Sequence, residues 1–116
     1  MNLTISGHHL MVTVALHDYV LEKLNPVRRH SDEVVDANVT LTFEKHKEKE
    51  DRHTAQVTLR FRGKEILARQ SHQDMYAAIE KVMDKLDRQL VRQKELGSNH
   101  LRIISLKRLE VSAHPL

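Results

Sequence analysis

Four basic residues recur along one stretch of the sequence at the spacing that places side chains on one face of a helix. They are Lys81, Lys85, Arg88 and Arg92, separated by 4, 3 and 4 residues. Residues three and four apart lie above one another on an α-helix, so the four cations would form one row. At a rise of about 1.5 Å per residue, the row would be roughly 16 Å long. A row of that length can contact several phosphate groups of a polyanion.

The acidic residues of the same stretch gather on a different helical face. They are Glu80, Asp84, Asp87 and Glu95. A solvent-exposed helix usually mixes its charges so that i,i+4 pairs form, whereas these charges are sorted by sign. The sorting favours a phosphate-binding face. A surface helix with incidental sorting is the alternative.

The row requires a helix over residues 74–96, and the apolar residues of this stretch predict one. They recur at the spacing of a broad buried stripe. The stripe consists of Met75, Ile79, Val82, Met83, Leu86 and Leu90. Ser71 and Asp74 are both suitable N-caps, and the sequence does not decide between them. Gly97 is a typical helix stop.

One strand and one helix are predicted before residue 30. The alternating residues 2–6 indicate a short strand, and Thr13 is a suitable cap for a helix that begins at Val14. The apolar side of this helix consists of Leu16, Val20, Leu24 and Val27. Pro26 removes a backbone donor and clashes with the preceding turn, so a kink or break is expected between residues 22 and 26.

Three further strands are predicted between the two helices. The first spans residues 35–43, and the second follows a charged segment, residues 44–53, expected to be a solvated, mobile loop. Gly63-Lys64 has the features of a two-residue hairpin turn leading into a shorter third strand. The inward residues are Val35, Ala37, Val39, Leu41 and Phe43, then Ala55, Val57, Leu59 and Phe61, then Ile66 and Ala68.

The element order β-α-β-β-β-α predicts an α+β fold. A strand, helix and strand in one sheet give a parallel pair, and the hairpins that follow are antiparallel. Each strand has one apolar face, so both helices should pack on the same side of a four-stranded mixed sheet. Residues 1–96 form this domain. Residues 97–116 form a tail for which an unstructured segment ranks ahead of a packed strand or a partner-binding hook.

The composition is that of a small globular protein with a modest positive charge. The chain has 116 residues, a formal net charge of +3 and a pI near 9.3, which is compatible with a nucleic-acid partner. It has no cysteine, which excludes disulfides, thiol nucleophiles and thiolate metal sites. No apolar run approaches the roughly 18 residues of a membrane span, and no signal-peptide pattern is present. We therefore expect a single cytoplasmic domain.

The sequence contains no recognisable constellation of catalytic residues. It lacks the G-x-S-x-G and H-E-x-x-H motifs and a glycine-rich phosphate loop. His8 and His9 are adjacent, but neighbours on an extended segment point to opposite sides, which disfavours a metal site there. We expect neither a cofactor nor a metal, and an enzyme ranks below every binding function.

Further cations lie near the end of the first helix. Lys23, Arg28 and Arg29 would widen the basic row if the two helices lie side by side. The helix dipole also favours cations at a helix C-terminus, which explains these residues without a ligand. Phosphate contacts by such a surface would be sensitive to salt and would recognise folded RNA by its shape.

Part of the sequence resembles a known family. The run QDMYAAI, four residues and then DKLDRQL, within residues 73–94, closely resembles the signature of the bacterial ribosome hibernation-promoting factors and short ribosome-associated translation inhibitors. LTISGHHL, VTVALHDYVLEKL and RGKEI also resemble that family. The resemblance covers roughly residues 1–96 and implies the same β-α-β-β-β-α fold.

The resemblance implies a non-enzymatic translation silencer. Members bind the small ribosomal subunit and its rRNA in the channel for mRNA and tRNA, and help to store ribosomes as inactive dimers in starved or stationary cells. The family's basic positions correspond to Lys85, Arg88, Arg92, Lys94 and Lys23. The assignment of Lys81, Arg28 and Arg29 to RNA binding depends on the row argument alone.

The mode of silencing is left open by the sequence. The tail is too short for the dimerising domain of long family members, so the chain resembles a short form that is a monomer off the ribosome. Promotion of dimers with a separate small ribosome modulation factor is favoured over holding single ribosomes idle. A general double-stranded RNA-binding module and a protein-binding regulator are the alternatives from other classes.

Overall fold

The computed structural model of the chain describes residues 2–28, 34–61 and 63–106, with the backbone alone at residue 28 and from residue 94 onward. The strands are β1 (Asn2–His8), β2 (Val34–Phe43), β3 (His53–Phe61) and β4 (Lys64–His72). The helices are α1 (Val14–Lys23), α2 (Asn25–Arg28) and α3 (Met75–Leu106), and a short 3-10 turn spans Lys49–Asp51.

The four strands form one mixed sheet in the order β1-β2-β3-β4. β1 pairs with β2 in parallel, and the other two pairs are antiparallel. The core lies on one face of this sheet, where buried residues of the strands meet those of all three helices. The predicted α+β fold, with a mixed sheet and both main helices on one face, is confirmed.

The apolar stripe of α3 is the largest helical contribution to the core. All six residues of the predicted stripe are buried, and Ala78 joins them. Ile79, Val82, Leu86 and Leu90 are fully inaccessible to solvent. Because these residues face the sheet, the rotation of α3 about its own axis is fixed.

The first helix begins and breaks where the sequence predicts. The Thr13 hydroxyl accepts a hydrogen bond from the backbone N–H of Leu16 at 3.1 Å, as expected of an N-cap. α1 ends at Lys23, and α2 follows with Pro26 in its first turn, where the missing N–H of proline has no helical acceptor to lose. Leu24 and Val27 remain fully buried across the break.

The prediction for the start of β2 is wrong. Val35 was expected to face the core, but it is 56% exposed, and Val34 is buried in its place. The register with β3 shifts between Val34 and Asp36. An irregularity of this kind inserts one extra residue into a strand and resets the alternation of its two faces.

The β3–β4 hairpin differs from the prediction in its turn and its length. Phe61 pairs with Lys64, so the turn comes one residue earlier than Gly63-Lys64. Gly63 has a φ of 74°, a conformation that glycine adopts without steric cost. β4 has 9 residues, as many as β3, and is therefore not the shorter strand that was expected.

The start of α3 follows Asp74 and not Ser71. Ser71 lies within β4, where its hydroxyl is hydrogen-bonded to that of Thr54 at 2.8 Å. The carbonyl oxygen of Asp74 accepts the backbone N–H of Ala78 at 3.0 Å, which opens the helical ladder. Of the two candidate caps, the structure therefore selects Asp74 as the residue before the helix.

The predicted helix stop at Gly97 is wrong, because α3 continues to Leu106. A glycine inside a helix costs only about 1 kcal/mol relative to alanine. Extending an existing helix also needs no new nucleation, which is the costly step. The expectation of an unstructured tail is therefore wrong for residues 97–106, while residues 107–116 lie outside the described part of the chain.

Replacing Leu86 by alanine is expected to lower the free energy of unfolding by about 2–5 kcal/mol, because the substitution leaves a cavity at a fully buried position. Urea denaturation would measure the loss. Leu67→Ala is the matched control, since Leu67 of β4 is 55% exposed and should change the free energy by about 0.5 kcal/mol or less. Equal losses would contradict the importance of the α3 stripe.

Candidate nucleic-acid interface

The four cations of the predicted row lie together on the surface of α3. Lys81, Arg88 and Arg92 are exposed, and Lys85 is partly exposed. Because Leu86 and its neighbours fix the buried side of the helix, residues at these spacings share one outward side. The structure therefore brings the row together as the sequence predicts.

Within the described part of the chain, the cations of the row have no carboxylate partner. Among the ion pairs in the described part of the chain, none involves Lys81, Lys85, Arg88 or Arg92. Arg88 does donate a hydrogen bond from Nε to the carbonyl oxygen of Asp84 at 3.4 Å. This contact leaves the guanidinium charge in place, so the row remains a concentrated positive surface.

The acidic side of α3 is turned toward α1. The Tyr19 hydroxyl donates a hydrogen bond to Glu80 Oε2 at 3.2 Å, and Lys23 Nζ lies 3.9 Å from the same oxygen. Lys81 follows Glu80 directly, and one residue turns a helix by about 100°. The basic row therefore faces away from α1, and the acidic side lies between the row and α1.

Two tyrosines complete the contact between α1 and α3. The rings of Tyr19 and Tyr76 meet edge to face with centroids 5.0 Å apart, and Lys23 Nζ lies 5.4 Å from the Tyr19 ring centroid. Burial raises the pKa of the Tyr19 hydroxyl, and its hydrogen bond to the Glu80 carboxylate raises it further. This cluster of Tyr19, Lys23, Tyr76 and Glu80 holds the first helix beside the third.

Of the remaining predicted cations, the structure describes the side chain of Lys23 alone, and Lys23 does not extend the row. The two helices do lie side by side, but Lys23 is engaged with Glu80 on the acidic side. The side chains of Arg28 and Lys94, and the whole of Arg29, lie outside the described residues. RNA binding by all eight predicted residues stays a prediction. Four of these residues form the row.

The helix-bridging cluster was missed by the sequence reasoning. Its signal was present as two pairs at i,i+4 spacing, Tyr19 with Lys23 and Tyr76 with Glu80. Each pair indicates neighbours on one helix. Only the packing of α1 against α3 reveals that the two pairs meet.

The open face of the sheet carries two arginines among its described residues. Arg60 pairs with Asp36 at 3.0 Å, whereas Arg69 is exposed. Within residues 2–28, 34–61 and 63–106, no three histidine or acidic side chains converge in a way that could hold a metal ion. No helix in the same ranges is both long enough and apolar enough to cross a membrane.

Comparison with known proteins agrees with the resemblance found in the sequence. Residues 3–96 match the family described as Sigma 54 modulation protein / S30EA ribosomal protein. The chain is 47% identical over 95 residues to the ribosome hibernation promoting factor of Azotobacter vinelandii, covering 82% of this chain and 84% of the relative.

Two solved structures have a similar fold. The N-terminal domain of Protein Y from Thermus thermophilus is 30% identical, with a TM-score of 0.68 over 79% of this chain and 98% of that domain. A ribosomal subunit interface protein from Coxiella burnetii gives a TM-score of 0.72 at 23% identity, over 82% of this chain and 99% of that protein. The second likeness concerns the fold alone.

The free energy of unfolding is expected to fall as the pH rises above about 10, the ordinary pKa of tyrosine. The folded state raises the pKa of Tyr19. The stabilisation by the neutral Tyr19 hydroxyl is therefore complete below that pH and is lost as the hydroxyl ionises. Urea denaturation at a series of alkaline pH values would measure the loss, and Tyr19→Phe should reduce it.

The Tyr76→Phe variant provides the direct measurement, because its only tyrosine is Tyr19. Its ultraviolet absorbance should report ionisation at a pH above the ordinary value, and adding Glu80→Gln should lower that pH. An unchanged titration after Glu80→Gln would contradict the role of the carboxylate.

Proposed function

This chain belongs to the Sigma 54 modulation protein / S30EA ribosomal protein family, and we propose that it is a non-enzymatic translation silencer that acts in ribosome hibernation. Relatives carry the name ribosome hibernation promoting factor. In this proposal the protein occupies the mRNA and tRNA channel of the small ribosomal subunit in starved or stationary cells. A ribosome-bound role implies a cytoplasmic location.

The observation that carries the proposal is the exposed basic row without carboxylate partners in the described chain. Ribosomal RNA offers closely spaced phosphates, and cations that displace their counterions gain affinity without reading a base sequence. Because α3 is held by the core stripe, Lys85 and Arg88 are presented on a rigid element. Binding then requires little ordering of the backbone, which lowers its entropic cost.

The acidic side of α3 would determine the orientation of docking. Glu80, Asp84 and Asp87 share one side of the helix, and like charges repel the RNA backbone. Lys23 and Tyr19 hold Glu80 against α1, so this side cannot easily turn toward the RNA. We infer that rRNA contacts the flank of α3 that faces away from α1.

For the mode of silencing, we favour promotion of inactive ribosome dimers together with a separate small ribosome modulation factor. The family match ends at residue 96, and α3 continues for 10 residues beyond it, about 15 Å of helix. In this proposal residues 1–96 bind the subunit, and the segment after them is not needed for binding. Holding single ribosomes idle through that segment is the alternative.

The double variant Lys85→Glu/Arg88→Glu is expected to lose binding to small ribosomal subunits, because two central cations of the row become repulsive. Cosedimentation with purified subunits in a sucrose gradient would measure binding. The fold should be intact, since neither side chain is buried in the core, and circular dichroism would verify this.

Lys49→Glu/Arg69→Glu is the matched control. It also reverses the charge of one lysine and one arginine, both exposed. Each double variant lowers the net charge by four, from +3 to −1. If the control loses binding equally, net charge and not the row drives the association. If the original protein binds arbitrary RNA duplexes as tightly as subunits, a general double-stranded RNA-binding module is favoured.

A chain that ends after residue 96 is expected to retain binding to small subunits, because the row and the core stripe lie before that residue. The same cosedimentation assay would measure it, with ribosome dimers scored in the presence of a modulation factor. Binding that survives the charge reversal but disappears on truncation would instead support a protein-binding regulator that acts through its C-terminal segment.

A further inference from the structure

A cavity lies at the end of the sheet, between the β1–α1 turn and the loop after β2. Its volume is about 520 Å³, and it is lined by His9, Phe43, Glu44, Lys45 and His46. Sites for small molecules typically measure roughly 300–1,000 Å³. None of the lining residues belongs to α3, so this cavity is separate from the basic row.

Phe43 provides an aromatic surface in the cavity. It is the last residue of β2 and is only partly buried. The ring of His53, its cross-strand partner in β3, lies 4.9 Å from the Phe43 ring at an interplanar angle of 46°. Neighbouring strands therefore hold Phe43 in place, and the residue remains partly exposed to solvent.

The charges around Phe43 favour an anion. Glu44 is paired with Lys47 at 3.2 Å, which offsets its negative charge. Lys45 has no carboxylate partner among the described residues, and the imidazoles of His9 and His46 add hydrogen-bonding groups beside it. The lining thus combines an aromatic ring, an ammonium group, two imidazoles and a carboxylate that is paired with Lys47.

The loop after β2 is preorganised by its own hydrogen bonds. The backbone N–H of Glu44 donates to the carbonyl oxygen of Arg52 at 2.9 Å. The backbone N–H of Lys47 donates to the backbone carbonyl oxygen of Glu44 at 3.2 Å. Arg52 Nε donates to the carbonyl oxygen of Lys47 at 3.1 Å. The charged segment, which was expected to be a mobile loop, is therefore held together by these hydrogen bonds. The wall that it forms in the cavity has a defined conformation.

The β1–α1 turn on the other side of the cavity is tight. A Cβ at Gly7 would collide with the carbonyl oxygen of Leu10, so only glycine fits there. His9 has a φ of 58° and is the one non-glycine residue with positive φ in the described ranges. Such conformations persist where the surroundings impose them, and they cluster at binding sites. The turn fixes His9 at the rim of the cavity.

We propose that this cavity binds a nucleotide, with the base against Phe43 and the phosphate near Lys45 and the two histidines. Stacking on an aromatic ring tolerates any base, and an ammonium group binds phosphate as a point charge. A metal ion is disfavoured, because within the described residues the histidines and acids do not converge on one point.

The nucleotide can come from two sources that share this chemistry. One is a free mononucleotide, and the other is an unpaired nucleotide of an RNA bound elsewhere on the protein. The proposal does not depend on ribosome binding through α3, because it uses residues of β2 and its flanking loops.

The test is an NMR titration of the isotope-labelled full chain with adenosine 5′-monophosphate in one arm and a short single-stranded oligoadenylate in the other. Saturable shifts are expected in the amide resonances of His9 and residues 43–46. Saturation in the first arm identifies a free nucleotide as the source, whereas saturation in the second arm alone identifies RNA. The absence of saturable shifts at these residues in both arms would overturn the proposal.

Variants separate binding in this cavity from nonspecific attraction by charge. Phe43→Leu, which keeps an apolar side chain, and Lys45→Gln should each raise the Kd about tenfold, the effect of losing a stacking or phosphate contact. Lys49→Gln, in the same loop but outside the cavity, should leave the Kd unchanged. Equal weakening by Lys49→Gln would overturn the proposal, because it would indicate attraction by the loop's charge alone.

Discussion

The burial of one stripe of α3 against the sheet is the constraint on which the rest of the molecule depends. Ile79, Val82, Leu86 and Leu90 have no access to solvent, and burying such side chains contributes the dominant favourable term in folding. The stripe also fixes the rotation of α3. A rotation of the helix by one residue position would turn the cations toward the sheet or toward α1, so the packing of the core determines which charges the surface presents.

Charge segregation along α3 is then maintained by its neighbour. Glu80 is held by Tyr19 and Lys23 of α1, so an acidic group faces a helix that supplies a hydroxyl and a cation. The opposite flank has no helix beside it among the described elements, and there the cations remain unpaired. One packing arrangement thus produces both a paired Glu80 carboxylate and a row of cations without carboxylate partners among the described residues. The nucleotide cavity that we propose depends on other elements, the turn at Gly7 and the loop closed by Arg52.

Regular elements could be predicted from the sequence because their signals are local and repeated. The stripe of α3, the cap at Thr13 and the break near Pro26 each follow from spacing or from the covalent chemistry of a few neighbouring residues. The errors fell where tertiary pairing decides between similar local options. Val35 and Val34 are equally apolar, and only the register with β3 selects which one is buried. Gly97 permits a stop, but the continuation of α3 outweighs its modest helix penalty.

The sequence by itself determined the element order, the buried faces and the existence of a basic row, because periodicity and composition act within a single helix or strand. It also carried enough family signature to indicate the protein's relatives. Only the tertiary structure decided which way the row faces. It also decided that Lys23 is paired with Glu80 and does not extend the row. It alone brought His9 and Phe43 to one cavity. These facts depend on distances between segments far apart in the chain, which are fixed only when the core packs.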